Sequence, residues 1–266
     1  MQNKHGDFVW YELQTSDIDA AKRFYGPLLE WQFSLSSAEA PRYETCLAQD
    51  NHIRQTHEVG GILELTPEMQ EGGCSPAWLG YIEVDDMTQA CKKLTDAGGK
   101  ILMPVKSIND VGDVCVVSDP QNAPFYLICS SGAKNSLAFA HDRPRPGHCA
   151  WNELVTSDKN AAQAFYQSQF GWTQDGSMDM GDMGSYDFIR HRNMIGAMMN
   201  IPAPGLPPFW NFYFRVANID KAVKYITDND GTITQDPMEI PGGEFVISAQ
   251  DPQGANFQLI GTRGDS

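Results

Sequence analysis

Two glutamates in this chain each stand two positions after a tryptophan, in Trp10-Tyr11-Glu12 and Trp151-Asn152-Glu153. Residues two apart on a strand share a face, so each pair presents an indole and a carboxylate to the same side, with Gln14 continuing the first. Aromatic walls beside a few polar groups are the usual make-up of a small-molecule pocket. A carboxylate buried there without a cation is costly in its charged form, so its pKa rises, and it can act as a general base on a carbon acid. Blander readings stand beside this one. A tryptophan at a strand start is commonly core packing, and either glutamate can be solvated at a wide mouth or bonded to backbone.

The elements that position these residues come in copies. Trp10, Glu12, Asp17, Phe24 and Trp31 recur 141 residues later as Trp151, Glu153, Asp158, Phe165 and Trp172. Further on, Trp78 matches Trp210 and the Asp-Pro-Gln turn at Asp119 matches the one at Asp251, each 132 residues apart. A period this long signals a duplicated domain rather than a solenoid. Each half repeats again, more weakly, as a strand, a helix and about three further strands. Asp17, Asp86, Asp158 and Asn218 are placed to cap the four helices. Gly98-Gly99 and Gly231 are placed to stop two of them in a left-handed conformation. The expected domains are residues 7–131 and 147–261, joined by a linker over 132–146 that is rich in turn formers near its end. The Asp-Pro-Gln turns read as turn chemistry alone, and Met178–Gly184 as a flexible loop.

Composition narrows the function classes. The net charge is −15, a surface that repels phosphate backbones and anionic lipid, so neither nucleic acid nor membrane is an expected partner. No apolar run is long enough to span a bilayer, and the N-terminal stretch lacks the basic and apolar regions of a secretory signal. The six cysteines form no Cys-x-x-Cys pair and read as reduced, mostly buried thiols, in keeping with a cytoplasmic protein.

The leading strand, the "SD…AA…FY…EW/GW" segment, the Gly-Gly strand and the closing "DPQG…F.L" strand resemble the vicinal oxygen chelate superfamily, which includes glyoxalase I, bleomycin-resistance proteins and extradiol dioxygenases. The resemblance implies an α+β fold: four βαβββ modules paired into two glyoxalase-like domains with cup-shaped mixed sheets. It also implies, for metal-using members, a divalent ion such as zinc, nickel, manganese or iron, held by His, Gln or Glu from first and last strands of paired modules. Here those positions fall on Trp10, Glu64, Leu79 and Tyr126 in one half, and on Trp151, Met199 or Asn200, Asn211 and Gln258 in the other. Only Glu64 is a conventional ligand, and Asn211 and Gln258 are weak neutral ones, so no cofactor is expected, with a weakly held divalent metal as the lesser alternative.

By the same alignment each cup is lined by aromatic and polar residues. Tyr81 and Tyr126 join Trp10, Glu12 and Gln14, while Asn211, Tyr213, Arg215 and Gln258 join Trp151 and Glu153. Arg215 is the expected partner of Glu153; Glu12 has none in view. His148 is expected at a strand entrance, and His191 facing solvent. Glu12 and Glu153 are thus the candidate catalytic residues of a glyoxalase-like protein that binds a small oxygenated metabolite, with lyase or isomerase chemistry. The alternative is a non-catalytic binding protein of the bleomycin-resistance type. An extradiol dioxygenase comes third, since it needs two His and a Glu that the sequence does not offer. A monomer and a homodimer are both compatible with the duplication.

Overall fold

Four times along the chain a strand runs into a capped helix and returns through three strands. In the computed structural model, which describes residues 3–38, 40–132, 135–203 and 205–264, the first module is β1 (Phe8–Thr15), α1 (Ile18–Leu29), β2 (Trp31–Ser37), β3 (Tyr43–Asp50) and β4 (Gln55–Glu64). A short helix, α2 (Pro67–Glu71), leads to the second: β5 (Ala77–Glu83), α3 (Met87–Asp96), β6 (Lys100–Ile108), β7 (Gly112–Ser118) and β8 (Pro124–Ser130). The third comprises β9 (Cys149–Thr156), α4 (Lys159–Phe170), β10 (Thr173–Asp179), β11 (Ser185–His191) and β12 (Asn193–Asn200). The fourth comprises β13 (Phe209–Asn218), α5 (Ile219–Asp228), β14 (Thr232–Glu239), β15 (Phe245–Gln250) and β16 (Asn256–Thr262).

All four expected caps form. Asp17, Asp86, Asp158 and Asn218 accept from the backbone N–H of Ala20, Gln89, Ala161 and Lys221 at 2.8–3.0 Å. Such a cap contributes about 1 kcal/mol to its helix. The C-terminal ends follow the sequence reading only in part. Gly98 is left-handed after α3, at φ +90°. Beyond α5 the left-handed residue is Asp230, and Gly231 is instead required by proximity, because a Cβ there would lie 2.7 Å from Ile226 Cγ2. Met178 belongs to β10 and is followed by a 3-10 turn at Gly181–Met183, so the methionine-rich stretch is largely ordered.

Two eight-stranded mixed sheets result, in the orders β2-β3-β4-β1-β5-β8-β7-β6 and β10-β11-β12-β9-β13-β16-β15-β14. Parallel pairing joins first and last strands within each module, β1 to β4, β5 to β8, β9 to β12 and β13 to β16. The remaining pairings within the modules are hairpins. By packing, the chain forms two compact units: one holds Leu79–Ser136, Trp151–Asn211 and the N-terminal residues through Val9, the other Trp10–Trp78, Leu137–Ala150 and the residues from Phe212 on. Second and third modules share one unit, first and fourth the other.

Each unit has an aromatic core with the same buried relay. In the second–third unit, Trp210 Nε1 donates to Tyr166 Oη at 3.2 Å, and Tyr166 donates to Asp119 at 3.2 Å. In the first–fourth unit, Trp78 Nε1 donates to Tyr25 Oη at 3.2 Å, and Tyr25 donates to Asp251 at 2.9 Å. The other oxygen of each aspartate accepts from its own turn, Asp119 from Gln121 and Ala123, Asp251 from Gln253 and Ala255. The Asp-Pro-Gln turns therefore do more than turn. Each supplies a buried carboxylate that ties a closing strand to a helix of the partner module. Burial pushes both aspartates above the usual carboxylate range, against the pull of these donors.

Tyr11, on the face of β1 opposite Trp10 and Glu12, packs edge-on against Phe212 and Phe214, at 5.0 and 5.9 Å between ring centres. The stretch before β9 is likewise tied down. Arg143 and Arg145 both bond Asp50, and Trp31 Nε1 donates to Gly147 O at 2.7 Å. His148 is wholly buried and lies 3.0 Å from His57. Its Nδ1 can only donate to Pro146 O, at 2.9 Å. Nε2 is then the acceptor for a proton carried on His57 Nδ1, so the pair is neutral. Burial, reinforced by His57 and Arg145, pushes the His148 pKa down to about 4. His191 does not face open solvent: its side chain is 13% exposed, with Nε2 3.3 Å from Asp7.

Candidate functional site

Alternation along β9 puts Trp151 and Glu153 on one face and the buried Asn152 and Leu154 on the other. Tyr186, near the start of β11, brings its hydroxyl to both. Trp151 Nε1 donates to it at 2.8 Å, and it donates to Glu153 Oε2 at 2.8 Å. The indole N–H has no acceptor capacity, so it fixes the direction of the phenol proton toward the carboxylate. From β13, Asn211 Nδ2 donates to the other oxygen, Glu153 Oε1, at 2.8 Å. The carboxylate is only 7% exposed. Both oxygens are held, by neutral donors, while Trp151 and Asn211 stay half-buried.

The first module repeats the indole–phenol bond. Trp10 Nε1 donates to Tyr43 Oη at 2.8 Å, and Glu12 is 2% exposed on the same strand face as Trp10. Glu12 pairs in register with Gly61 of β4. A Cβ on Gly61 would sit inside the Tyr43 phenol, 2.7 Å from its Cε1 and nearer still to the hydroxyl. Gly61 is therefore what leaves room for the phenol end of Tyr43.

Arg215 does not pair with Glu153; both its terminal nitrogens bond Glu244, from the loop that opens β15. The neutral partners Tyr186 and Asn211 take the role that charge matching assigned to an arginine. Tyr81 and Tyr126 stack face to face, 4.0 Å apart and 5° from parallel, both nearly buried. Tyr213 and Gln258 are register partners across β13 and β16, with Gln258 buried and Tyr213 half-buried. Gln14 is buried at the end of β1.

The ligand positions implied by the family do not assemble a divalent site. The indoles of Trp10 and Trp151 are committed to tyrosines, the Asn211 amide to Glu153, and Asn200 Oδ1 accepts from Lys159 N at 3.0 Å. Glu64 ends β4, opposite Thr15. Among the described residues no three of His, Cys, Asp and Glu stand together as a metal-binding group. The donor chemistry at these positions does not suit zinc, nickel, manganese or iron.

Tyr43 and Tyr186 were not singled out by sequence reasoning. The signal existed, since Tyr43-Glu44 and Tyr186-Asp187 open equivalent strands, but their offset is 143 rather than 141. An alignment anchored on tryptophans passes over it.

The sequence profile of the Glyoxalase/Bleomycin resistance protein/Dioxygenase superfamily matches residues 7–124 and 145–259. The chain belongs to this superfamily. Superfamily members bind small-molecule substrates, and no helix among the described residues is long and apolar enough to cross a membrane. It is 31% identical over 259 residues to "Putative glyoxylase CFP32" of Mycobacterium tuberculosis, covering 97% of this chain and 95% of that one. It is 24% identical over 263 residues to the anthracycline biosynthesis protein DauV of Streptomyces sp., covering 96% and 93%. The fold is also that of the Mn(II)-bound glyoxalase from Novosphingobium aromaticivorans, with TM-score 0.61 and 15% identity over 99% of this chain and 83% of that one.

Proposed function

We propose that the Glu153 cluster is the centre of a site for a small oxygenated metabolite, and that Glu153 is the general base of a lyase- or isomerase-type proton transfer. The observation that supports this reading is a buried carboxylate held at both oxygens by neutral donors, Tyr186 and Asn211, beside a half-buried indole. Donors at both oxygens fix the orientation of the carboxylate, and an oriented carboxylate beside a bound ligand is a group that can take a proton from carbon next to a carbonyl. In an isomerase that proton returns to the neighbouring carbon; in a lyase a leaving group departs. Trp151 supplies an aromatic face for the ligand, and Asn211 a polar contact. Glu12, beside Trp10, is the equivalent candidate of the N-terminal half. The reading requires no divalent ion, consistent with the donor set.

A second reading keeps the binding and drops the turnover. It is favoured by the Trp151–Tyr186 bond, which braces an aromatic surface, and by the likeness to a protein named for anthracycline biosynthesis, anthracyclines being flat polycyclic compounds. A thermal-shift screen of small carbonyl and hydroxycarbonyl compounds against polycyclic aromatics separates the two, because a ligand raises apparent stability by linkage. Stabilisation by the carbonyl class, with turnover lost in Glu153→Gln, supports the enzyme. Stabilisation by aromatics alone, unchanged in Glu153→Gln and lost in Trp151→Ala, supports the binding protein.

A further inference from the structure

Where α3 packs on β7, three buried sulfur side chains meet in a position that the site above does not use. Met87 and Cys91 lie one helical turn apart on the inner face of α3, and Cys115 rises from the centre of β7. Cys91 Sγ is 3.7 Å from Met87 Sδ and 3.9 Å from Cys115 Sγ. All three residues are at most 8% exposed. Cys115 also points its thiol at the Met103 carbonyl, at 3.2 Å.

Met87 and Cys91 meet by helix geometry, and the approach of Cys115 from the sheet gives the spacing its chemical content. A metal ion about 2.3 Å from each sulfur, a typical metal–thiolate bond, would subtend about 115° at the Cys91–Cys115 pair and about 107° at the Met87–Cys91 pair. Both angles, between the Cys91 sulfur and its two neighbours, fall in the range of a bent site, whereas a two-coordinate linear ion would need the sulfurs about 4.6 Å apart. Two thiols and a thioether, with no imidazole or carboxylate, form a soft donor set that selects Cu(I) over zinc and over hard cations.

We propose that Met87, Cys91 and Cys115 form a buried three-sulfur site for a monovalent copper ion. Each cysteine gives up its thiol proton to solvent as its bond to copper forms, and no electron is transferred. Loading would clamp α3 to β7.

The test uses the full chain carrying Cys74→Ser and Cys129→Ser, which removes the exposed and the half-buried cysteine. It is kept reduced and titrated with Cu(I) against the chromogenic chelator bicinchoninate. The expected result is one copper retained per chain, weakened about 100-fold by Cys91→Ala or Cys115→Ala and about tenfold by Met87→Leu, which keeps the side-chain volume. X-ray absorption of the loaded, otherwise unmodified protein should show three sulfur neighbours at about 2.3 Å. Copper retained equally by all three variants, no retention against the chelator, or nitrogen and oxygen neighbours in the absorption spectrum would overturn the proposal. Circular dichroism on each variant distinguishes a lost site from a lost fold, and Met87→Leu keeps the question answerable where a cysteine variant unfolds.

Discussion

Tyr186 donates its hydroxyl to Glu153 at 2.8 Å while receiving the indole N–H of Trp151 at the same distance, so one phenol orients both residues of the repeated Trp-x-Glu motif. Tyr186→Phe removes that hinge, taking an acceptor from the half-buried indole N–H and a donor from the carboxylate oxygen. The expected cost is about 1–3 kcal/mol of stability. A double-mutant cycle of Tyr186→Phe with Trp151→Phe should show a coupling of about 1 kcal/mol in urea unfolding; additive losses would mean that the two side chains act independently.

The first-module copy depends on a glycine. Because a Cβ at Gly61 falls inside the Tyr43 ring, Gly61→Ala should destabilise the protein by about 1–3 kcal/mol through overpacking. Tyr43→Ala in the same chain should relieve the clash, so the double variant should lose less than the sum of the single losses.

The architecture was legible in the sequence because duplication repeats what folding needs. Caps, helix stripes and tryptophans recur at fixed offsets, and all four caps form as read. Partner choice inside the sheets was less legible. Arg215 looked like the partner of Glu153 on charge grounds, but strand alternation does not say which residues approach one another, and Asn211 and Tyr186 reach the carboxylate first. The buried Asp119 and Asp251 were hidden for a related reason. A local turn signature says nothing of a tyrosine hydroxyl arriving from another module.

Those two aspartates give a pH dependence of definite sign. Their carboxyls sit above the usual value of 3.8 in the folded chain. The native state therefore holds their protons to higher pH, and stability declines as pH rises through the window that begins near 3.8. Asp251→Asn, which keeps an acceptor for the turn, should flatten that decline. A stability profile unchanged in slope between the variant and the parent, followed by denaturant midpoints from pH 4 upward, would remove this account.

His148 acts in the opposite direction. Its pKa is about 4 when folded, against an ordinary histidine value of 6.5, so the unfolded chain takes up the proton first. Stability is full above about pH 6.5 and is lost progressively toward pH 4, by about 3 kcal/mol over the window. His148→Asn can keep the donor to Pro146 and cannot charge. It should lack this acid-side loss, whereas a loss as steep as the parent's would assign the effect to other groups.

The donor set at the family's ligand positions predicts a response to metal removal. Activity or ligand binding in the C-terminal half should be unchanged, within about twofold, after exhaustive treatment with a divalent-ion chelator. Metal analysis by mass spectrometry should find no stoichiometric zinc, nickel, manganese or iron beforehand, because indole, amide and thioether groups do not hold such ions. Stoichiometric metal whose removal abolishes function would contradict the reading.

Proton transfer by Glu153 to and from carbon would be read most directly by solvent deuterium exchange, followed by NMR in D2O, at carbon next to the carbonyl of whichever compound stabilises the protein. Protein-dependent exchange should fall about 10²–10⁴-fold in Glu153→Gln, with binding of the compound retained. Exchange undiminished in Glu153→Gln, or a tightly bound compound whose carbon-bound protons never exchange, would contradict it.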